Sequence, residues 1–577
     1  MAFLRGIPDD RRGALALLAI LVLGALLRLP GIDARGTWED DQGQQVLAVQ
    51  QWLATRSAPL LGPPSSIGDV HHGVATYWLF LPAAALAGFD PVAVTAFLAL
   101  LGLVGVAATW GLARTIGGVA AGHVAGILAA LSPTWIETST FIWNANIVGP
   151  AAAVALLGAW RAWETGQARW WLLAGGAAIV LAHAHLLGTV LLPPLIGLAI
   201  ADWRRRAGAG RRRLGGALTV VLVAFALTLV PLAIHEATTD FGETRALLDY
   251  VGSRLDGTSP EALDADPLPA RLGIVAWRAA SWPVTGLIVD APVTSALVTV
   301  VLAVLLGWRA AVPPGAERTF VRWSIAAFGF AIAALAILAP SLSRVVRGLP
   351  NDHYHAFFDP LVLTVIALAV AAWWRSGLGV ISRSEDGSGA GEPLPSALRT
   401  PTLPDGLTPG RVVAVVAVIS TVALGLGAIP RAAAPDGGWP LARDAGVRVA
   451  GAAADREITV VPVASFKTGH SITLPLVLAG ADVSAWSLGE GLDDDGLRAA
   501  VAAAGAQGGA LVLVCDPLFE DVLGAVCGGP AEEARLAEVT AGSGGPDGGG
   551  TAGAWRLADR FEAGSRRTLS VYLRAEG

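Results

Sequence analysis

Glu39, Asp40 and Asp41 stand side by side ten residues after the first apolar stretch of the chain ends at Leu29. Other groups able to do chemistry follow in short clusters: His71-His72, "IWNAN" with Asn144 and Asn146, "HAH" with His183 and His185, and "NDHYH" with His353 and His355. A carboxylate beside a membrane can act as general base toward the hydroxyl or amine of an acceptor. Arg245, Arg254, Arg271 and Arg278 lie in one polar stretch, Arg344 and Arg347 in another. Arginine holds phosphate oxygens bidentately, so such groups suit a departing lipid-linked phosphate. Taken singly, each cluster has a plain explanation. An imidazole at a helix end suits a half-wet interface, and acids after a span mark a solvated loop. Their arrangement along the chain is what gives them weight.

The elements that must position them are membrane helices. The chain has 577 residues, 54% hydrophobic and 15% charged, where a soluble protein carries about 25% charge. Mean hydropathy is +0.58. These values describe a polytopic α-helical membrane protein, and a net charge of −6 gives no reason to expect a nucleic-acid partner. The first apolar stretch follows Arg11 and Arg12 with no small-residue cleavage site, so it reads as a retained span rather than a removed signal.

A span needs about 20 apolar residues. Eleven candidates result: Ala14–Leu29, Val92–Leu112, Gly117–Leu131, Ile147–Trp160, Trp170–Ala184, Leu186–Ala201, Leu214–Ile234, Gly286–Gly307, Phe320–Pro340, Ala356–Trp374 and Val412–Ile429. The basic runs Arg204–Arg206 and Arg211–Arg213 place that loop on the cytoplasmic side, and Arg11 and Arg12 independently place the N-terminus there. Parity then makes Gly73–Gly88 a re-entrant or interfacial segment. The acids, both asparagines and seven of the nine histidines fall at the outer face, with His235–Thr285 and Ser341–His355 as outer loops. The Gly/Ser/Pro-rich stretch 375–411 reads as a cytoplasmic linker.

Residues 1–429 thus form a membrane part and residues 430–577 an extracytoplasmic α/β domain. "ITVVPV" (Ile458–Val463), "GALVLVCD" (Gly509–Asp516) and the closing "LSVYLRA" read as strands, and "DDGLRAAVAAAG" as a helix. In an oxidising compartment Cys515 and Cys527, the only cysteines, are expected to pair.

The stretches "WEDDQGQQVLAVQQWL", "PLLGPPSSIGDVHHGVATYWLFLPAAAL", "ALSPTWIETSTFIWNANIVGP", "LAHAHLLGTVLLPPL" and "DHYHAFFDPLVL" together resemble the GT-C superfamily of integral membrane glycosyltransferases. The resemblance is to its protein-mannosyltransferase and aminoarabinose-transferase-like branch, and it runs from residue 38 to about 365. It implies an enzyme of the cell membrane that moves a sugar from a polyprenyl-phosphate donor to a protein, lipid or glycan acceptor. It also implies that an acid of the first outer loop is the base. On this chain that is Asp41 or Asp40, with Asp41 favoured because the following helix reads as starting there. Glu39, His71, His72, Asn144, Asn146, His183, His185, Arg344, Arg347, His353 and His355 become substrate-binding candidates. Two departures stand out. His71-His72-Gly73 replaces a Lys-Pro-Pro-like sequence, and Asn144 and Asn146, with Glu137 nearby, stand where many relatives have a second acid. Some relatives use a divalent ion, and Asp40 and Asp41 are the candidate ligands for Mg²⁺ or Mn²⁺. The rival readings are a non-catalytic envelope-assembly protein with the same fold and a lipid or sugar transporter. A transporter would want charges within spans or broken inverted repeats.

Overall fold

The computed structural model describes residues 11–575 apart from 66–69, 257–265, 287, 313, 340–350, 383–408, 429–433, 435, 464–468, 486–493, 507–508, 516–527, 543–554 and 564–566. Helices occupy the chain as far as Ala428: α1 (Arg11–Arg28), α2 (Ile32–Arg35), α3 (Asp40–Thr55), α4 (Ala75–Leu86), α5 (Pro91–Leu131), α6 (Pro133–Glu137), α7 (Val148–Thr165), α8 (Arg169–Ala184), α9 (Leu192–Arg205), α10 (Gly208–Thr228), α11 (Val230–Thr238), α12 (Gly242–Leu255), α13 (Leu268–Thr285), α14 (Pro292–Ala310), α15 (Ala316–Leu338), α16 (Asp359–Ser382) and α17 (Pro409–Ala428). Short 3₁₀ turns at Asn144–Ile147, Leu186–Leu191 and Asn351–Phe358 lead into α7, α9 and α16.

Among the described residues seven helices are long and apolar enough to cross a membrane: Pro91–Leu131, Asn144–Thr165, Leu186–Arg205, Gly208–Thr238, Pro292–Ala310, Ala316–Leu338 and His355–Arg375. Their exposure follows their place. α10 and α14 leave Leu222, Leu227, Leu297 and Val304 exposed, as lipid-facing helices do, whereas α7 buries Leu156 and Trp160 at the centre of the main core.

The longest of them is two. α5 has 41 residues and as one straight rod would measure roughly 60 Å, twice a bilayer core. Gly118 breaks it with φ 81° and ψ −172°, a conformation open to glycine and costly for other residues. A Cβ built on Gly122 would lie 2.8 Å from the Arg114 Cβ, and one on Gly126 3.0 Å from the Trp110 ring. Residues eight and sixteen apart can approach so closely only if the chain doubles back. The two stretches read from sequence on either side of Arg114 are therefore the arms of a helical hairpin.

Arg28, at the end of α1, is fully buried. It donates to the carbonyls of Ala130 at 3.0 Å and Ala129 at 3.3 Å. These are among the last carbonyls of α5, which have no partner within the helix, and a cation there also meets the negative end of the helix dipole. This contact fixes where α5 ends and where the chain turns, through Ser132, into α6.

Two stretches read as non-spanning behave differently. α4 has 12 residues, about 18 Å of helix, short of the roughly 30 Å that a crossing needs. The segment His235–Thr285, expected as a loop, is largely helical in its described part, as α12 and α13. Counting spans along the chain left it between two of them. In α13, however, Arg278 is buried along with Val275, Ala279 and Trp282. Residues 383–408, most of the expected linker, lie outside the described residues; the chain up to Ser382 is still helical.

Beyond α17 the chain forms a five-stranded sheet in the order β2-β1-β3-β5-β4, from β1 (Ile458–Val463), β2 (Val483–Ala485), β3 (Ala510–Cys515), β4 (Trp555–Glu562) and β5 (Thr568–Arg574). β1 pairs parallel with β2 and β3, and β5 runs antiparallel to β3 and β4. The helices are α18 (Gly438–Ala453), α19 (His470–Leu478), α20 (Asp494–Ala506) and α21 (Pro530–Gly542). The period-two alternation of strands sends Val460, Val512 and Val571 toward α18 and α19, and Val461, Leu513 and Tyr572 toward α20 and α21. Helices on both faces explain why every residue of β3 is buried. The three strands expected from sequence are β1, β3 and β5; β2 and β4 extend the two edges. Cys515 is disulfide-bonded. The other cysteine of the chain, Cys527, lies outside the described residues.

Candidate functional site

The acid motif opens α3. Glu39 is its N-cap: the Glu39 N–H donates to Gln42 Oε1 at 2.7 Å and the Glu39 carboxylate accepts from the backbone of Gln42, a reciprocal capping box. The helix therefore begins at Asp40, one residue before the start read from sequence, because glutamate is not among the usual N-cap residues. Gln42 and Gln45, one turn in, tie the helix to the next loop. Gln42 donates to the Ile142 carbonyl at 2.8 Å and Gln45 to Asn144 Oδ1 at 3.2 Å.

The three acids have different surroundings. Glu39 accepts from Arg567 at 2.9 Å, an ion pair reaching to the turn before β5. Asp40 is buried, and its Oδ1 accepts from the backbone N–H of Ser471 in the first turn of α19 at 3.0 Å. Asp41 is exposed. Its charge acts on the phenol of Tyr77 in α4, whose oxygen accepts from Gln44 at 2.8 Å.

The sheet-bearing segment is thus packed onto the motif. Trp38 donates its indole N–H to the Ser471 carbonyl at 2.8 Å and packs at a tilt of 58° against Trp439, centroids 4.7 Å apart. Asp436 accepts from Thr37 Oγ1 at 2.6 Å and from Trp38 N–H at 2.7 Å. Gly43 makes the approach possible, since a Cβ there would fall 2.1 Å from the His470 carbonyl oxygen. Burial pushes the His470 imidazole below its ordinary range, with the nearby Asp40 charge opposing.

Four of the predicted histidines gather beside α4. The rings of His72 and His185 are tilted against each other by 36°, with centroids 4.5 Å apart. His72 Nδ1 accepts from Leu186 N–H at 3.3 Å, and His185 Nδ1 from Leu187 N–H at 3.2 Å. Burial, helped by His71, lowers the His72 pKa to about 4, so its ring is neutral at pH 7. The His183 carbonyl accepts from Gly73 N–H at 3.0 Å, and its Nε2 lies 2.9 Å from Thr228 Oγ1. His71 is held by Glu243 of α12, through both its ring and its backbone N–H at 2.8 Å. Asn144 closes the ring of contacts, donating to the Ala184 carbonyl at 2.6 Å while accepting from Gln45. Much of this hydrogen bonding joins histidine to backbone, which holds loops in place.

The remaining candidates stand apart. Asn146 donates to the Phe141 carbonyl at 2.9 Å. His355 is fully buried against Trp282, 6.2 Å between centroids. Arg344 and Arg347 lie outside the described residues, as does the side chain of His353. Glu39 is turned to Arg567, Asp40 is buried against Ser471, and among the described residues no group of three or more His, Cys, Asp or Glu converges as ligands. Sequence reasoning did not find Arg567, Asp436, Glu243 or the pairing of Ser471 with Asp40. Only the Glu39/Gln42 spacing carried a local signal.

Residues 71–231 match the family model for dolichyl-phosphate-mannose-protein mannosyltransferase. The matched span holds His71, His72, Asn144, Asn146, His183 and His185 but begins after the acid motif. The comparison with curated proteins gives no match. Among solved structures the chain is similar to ArnT from Cupriavidus metallidurans bound to undecaprenyl phosphate, at 14% identity over 97% of each chain with a TM-score of 0.53. It is similar also to apo ArnT from the same organism, at 13% identity over 97% of each chain with a TM-score of 0.51. The chain therefore has the fold of the GT-C membrane glycosyltransferases, and its residues 71–231 match the mannosyltransferase family among them.

Proposed function

We propose that the protein transfers a sugar from a polyprenyl-phosphate donor to an acceptor at the outer face of the membrane, with Asp41 as general base. The observation that carries the assignment is the difference among three adjacent acids: Asp41 is exposed, while Asp40 is buried against Ser471 and Glu39 is ion-paired with Arg567. In the transfer, Asp41 takes the proton of the acceptor hydroxyl or amine as its oxygen or nitrogen attacks the anomeric carbon. The bond from that carbon to the phosphate oxygen breaks, and its electron pair leaves with the polyprenyl phosphate. Asp40 and Glu39 hold the helix start in place. ArnT, with the same fold, was crystallised with undecaprenyl phosphate, which supports a lipid-linked donor.

The proposed arrangement has eleven spans, a non-spanning α4, a membrane part ending at residue 429 and an outer α/β domain from residue 430. The Asp40–Ser471 contact supports its sidedness. Groups in contact share a side, and counting charges along the chain independently puts both at the outer face. The test is transfer of radiolabelled sugar from polyprenyl-phosphate donors in membranes, comparing wild type with Asp41→Asn and Asp40→Asn. Turnover by well-inserted Asp41→Asn equal to wild type would remove the base.

A further inference from the structure

Charge gathers at the end of the bundle away from the acid motif. Residues 161–213 hold eight arginines and two acids, Glu164 and Asp202, in a chain whose net charge is −6. α7 spans the separation. The turn that leads into it carries Asn144, bonded to Gln45 of α3. Near its other end the carbonyls of Ala162, Trp163 and Gly166 accept from Arg205 and Arg206. The 22 residues from Asn144 to Thr165 make roughly 30 Å of helix, the thickness of a bilayer core.

These arginines divide by what they touch. Arg205 and Arg206 grip Asp202, a fully buried carboxylate that also accepts from the Trp171 indole at 2.8 Å, so they belong to the fold. Arg204, Arg212 and Arg213 are exposed and meet no carboxylate among the described residues. Two of them end apolar stripes. Ile196, Ile200 and Arg204, four apart on α9, are all exposed; so are Arg212, Gly216, Val220, Val223 and Leu227, three or four apart on α10. Only Arg206 and Ala207 separate the two helices, so both stripes end in arginine at one corner. Trp203, with the Arg211 guanidinium 5.4 Å from its ring centroid, stands at the same corner, and tryptophan favours headgroup depth. Sorting by charge requires arginines somewhere in this loop; it does not require them at the ends of lipid-facing stripes. An apolar stripe that ends in a guanidinium has the outline of an anionic lipid: acyl chains lie along the stripe, and the arginine holds phosphate oxygens bidentately. A zwitterionic lipid brings the same chains, but the arginines repel its ammonium. An acidic protein or an RNA would use the arginines and leave the stripes idle.

We infer that the corner between α9 and α10, with Arg204, Arg212 and Arg213, is a docking surface for an anionic phospholipid of the leaflet remote from the acid motif. The inference goes beyond the transfer reaction proposed above and does not depend on it.

The test is binding of fluorescent phosphatidylglycerol and phosphatidylcholine, alike in their acyl chains, to the purified full-length protein in uncharged detergent. A basic side chain at a membrane surface is worth about 5-fold in binding, so wild type should prefer phosphatidylglycerol by about 10-fold or more. The triple variant Arg204→Gln, Arg212→Gln, Arg213→Gln should bind the two lipids equally, with the melting temperature of wild type in lipid-free detergent. A wild type without the preference, or a folded triple variant that keeps it, would overturn the docking surface. Competition by heparin, a polyanion without acyl chains, as strong as that by unlabelled phosphatidylglycerol would overturn the lipid as its occupant. Should the triple variant fail to insert, salt decides on wild type alone. Raising NaCl from about 50 to about 500 mM should erase the preference by screening exposed charges, and a preference unchanged by salt would overturn the role of the arginines.

Discussion

Asp40 and Ser471 are 431 positions apart in the chain and 3.0 Å apart in the fold, the carboxylate of one accepting from the backbone N–H of the other. A buried carboxylate is tolerated when N–H groups meet it, and the first turn of a helix offers N–H groups that are free of intrahelical bonds. The acid motif is therefore shared between the membrane part, which supplies the acids, and the sheet-bearing segment, which fixes two of them.

Asp41→Asn is expected to lower the transfer rate by about 10²–10⁴, the usual worth of a general base, with normal insertion. Asp40→Asn should act mainly through the motif's position, with a smaller fall in rate and a lower melting temperature. Rates normalised to folded protein distinguish the two.

Gly43→Ala separates local propensity from docking. In an exposed helix interior alanine is favoured over glycine by about 1 kcal/mol. Here the added methyl would sit 2.1 Å from the His470 carbonyl oxygen, and overpacking of that kind costs about 1–3 kcal/mol. The substitution should destabilise, and limited proteolysis should show new cleavage between α17 and α18.

Arg567→Ala removes the ion pair to Glu39. With its side chain 9% exposed and that of Glu39 29% exposed, a charge-assisted hydrogen bond of about 1.5–3 kcal/mol is partly screened by solvent. A double-mutant cycle with Glu39→Gln should return a coupling of about 1 kcal/mol, and additive effects would show that the pair contributes nothing.

Docking should weaken in acid. Burial lowers the folded-state pKa of His470 below its ordinary 6.5, so the unfolded or undocked form binds the proton more readily. The contribution is fully present above about pH 6.5 and is lost as pH falls toward the lowered value, levelling off below it. A charged imidazole at the positive end of α19 adds to the effect. Thermal melts between pH 5 and 8 should show this slope in wild type and a shallower one in His470→Gln.

What could be read in the sequence was what repeats or clusters. Apolar runs gave the helices, including both arms of α5, because Arg114 and the glycines after it mark the turn. The short apolar, valine-rich runs "ITVVPV" and "ALVLVC" gave two strands of the sheet. The acids and the histidines could be singled out by type alone. α13 was missed because counting spans left it in a loop, and a buried arginine such as Arg278 leaves no trace in composition. Gly43 and Arg567 were missed for a different reason. Each is ordinary in its own neighbourhood and matters only through a partner hundreds of residues away. Asp359 belongs to both cases: its motif was noticed, but its burial beside Trp135 depends on packing between α6 and α16.

The order of synthesis gives the Asp40–Ser471 contact a further meaning. The acids leave the ribosome soon after α1 and α2, and Ser471 emerges only after α17 has been made. Until then, the start of α3 lacks the groups that bury and orient it. A chain interrupted before α19 would still contain the seven long apolar helices but would have an unsettled acid motif. The buried acid of the motif is thus settled only once α19 has been made, after every helix as far as α17.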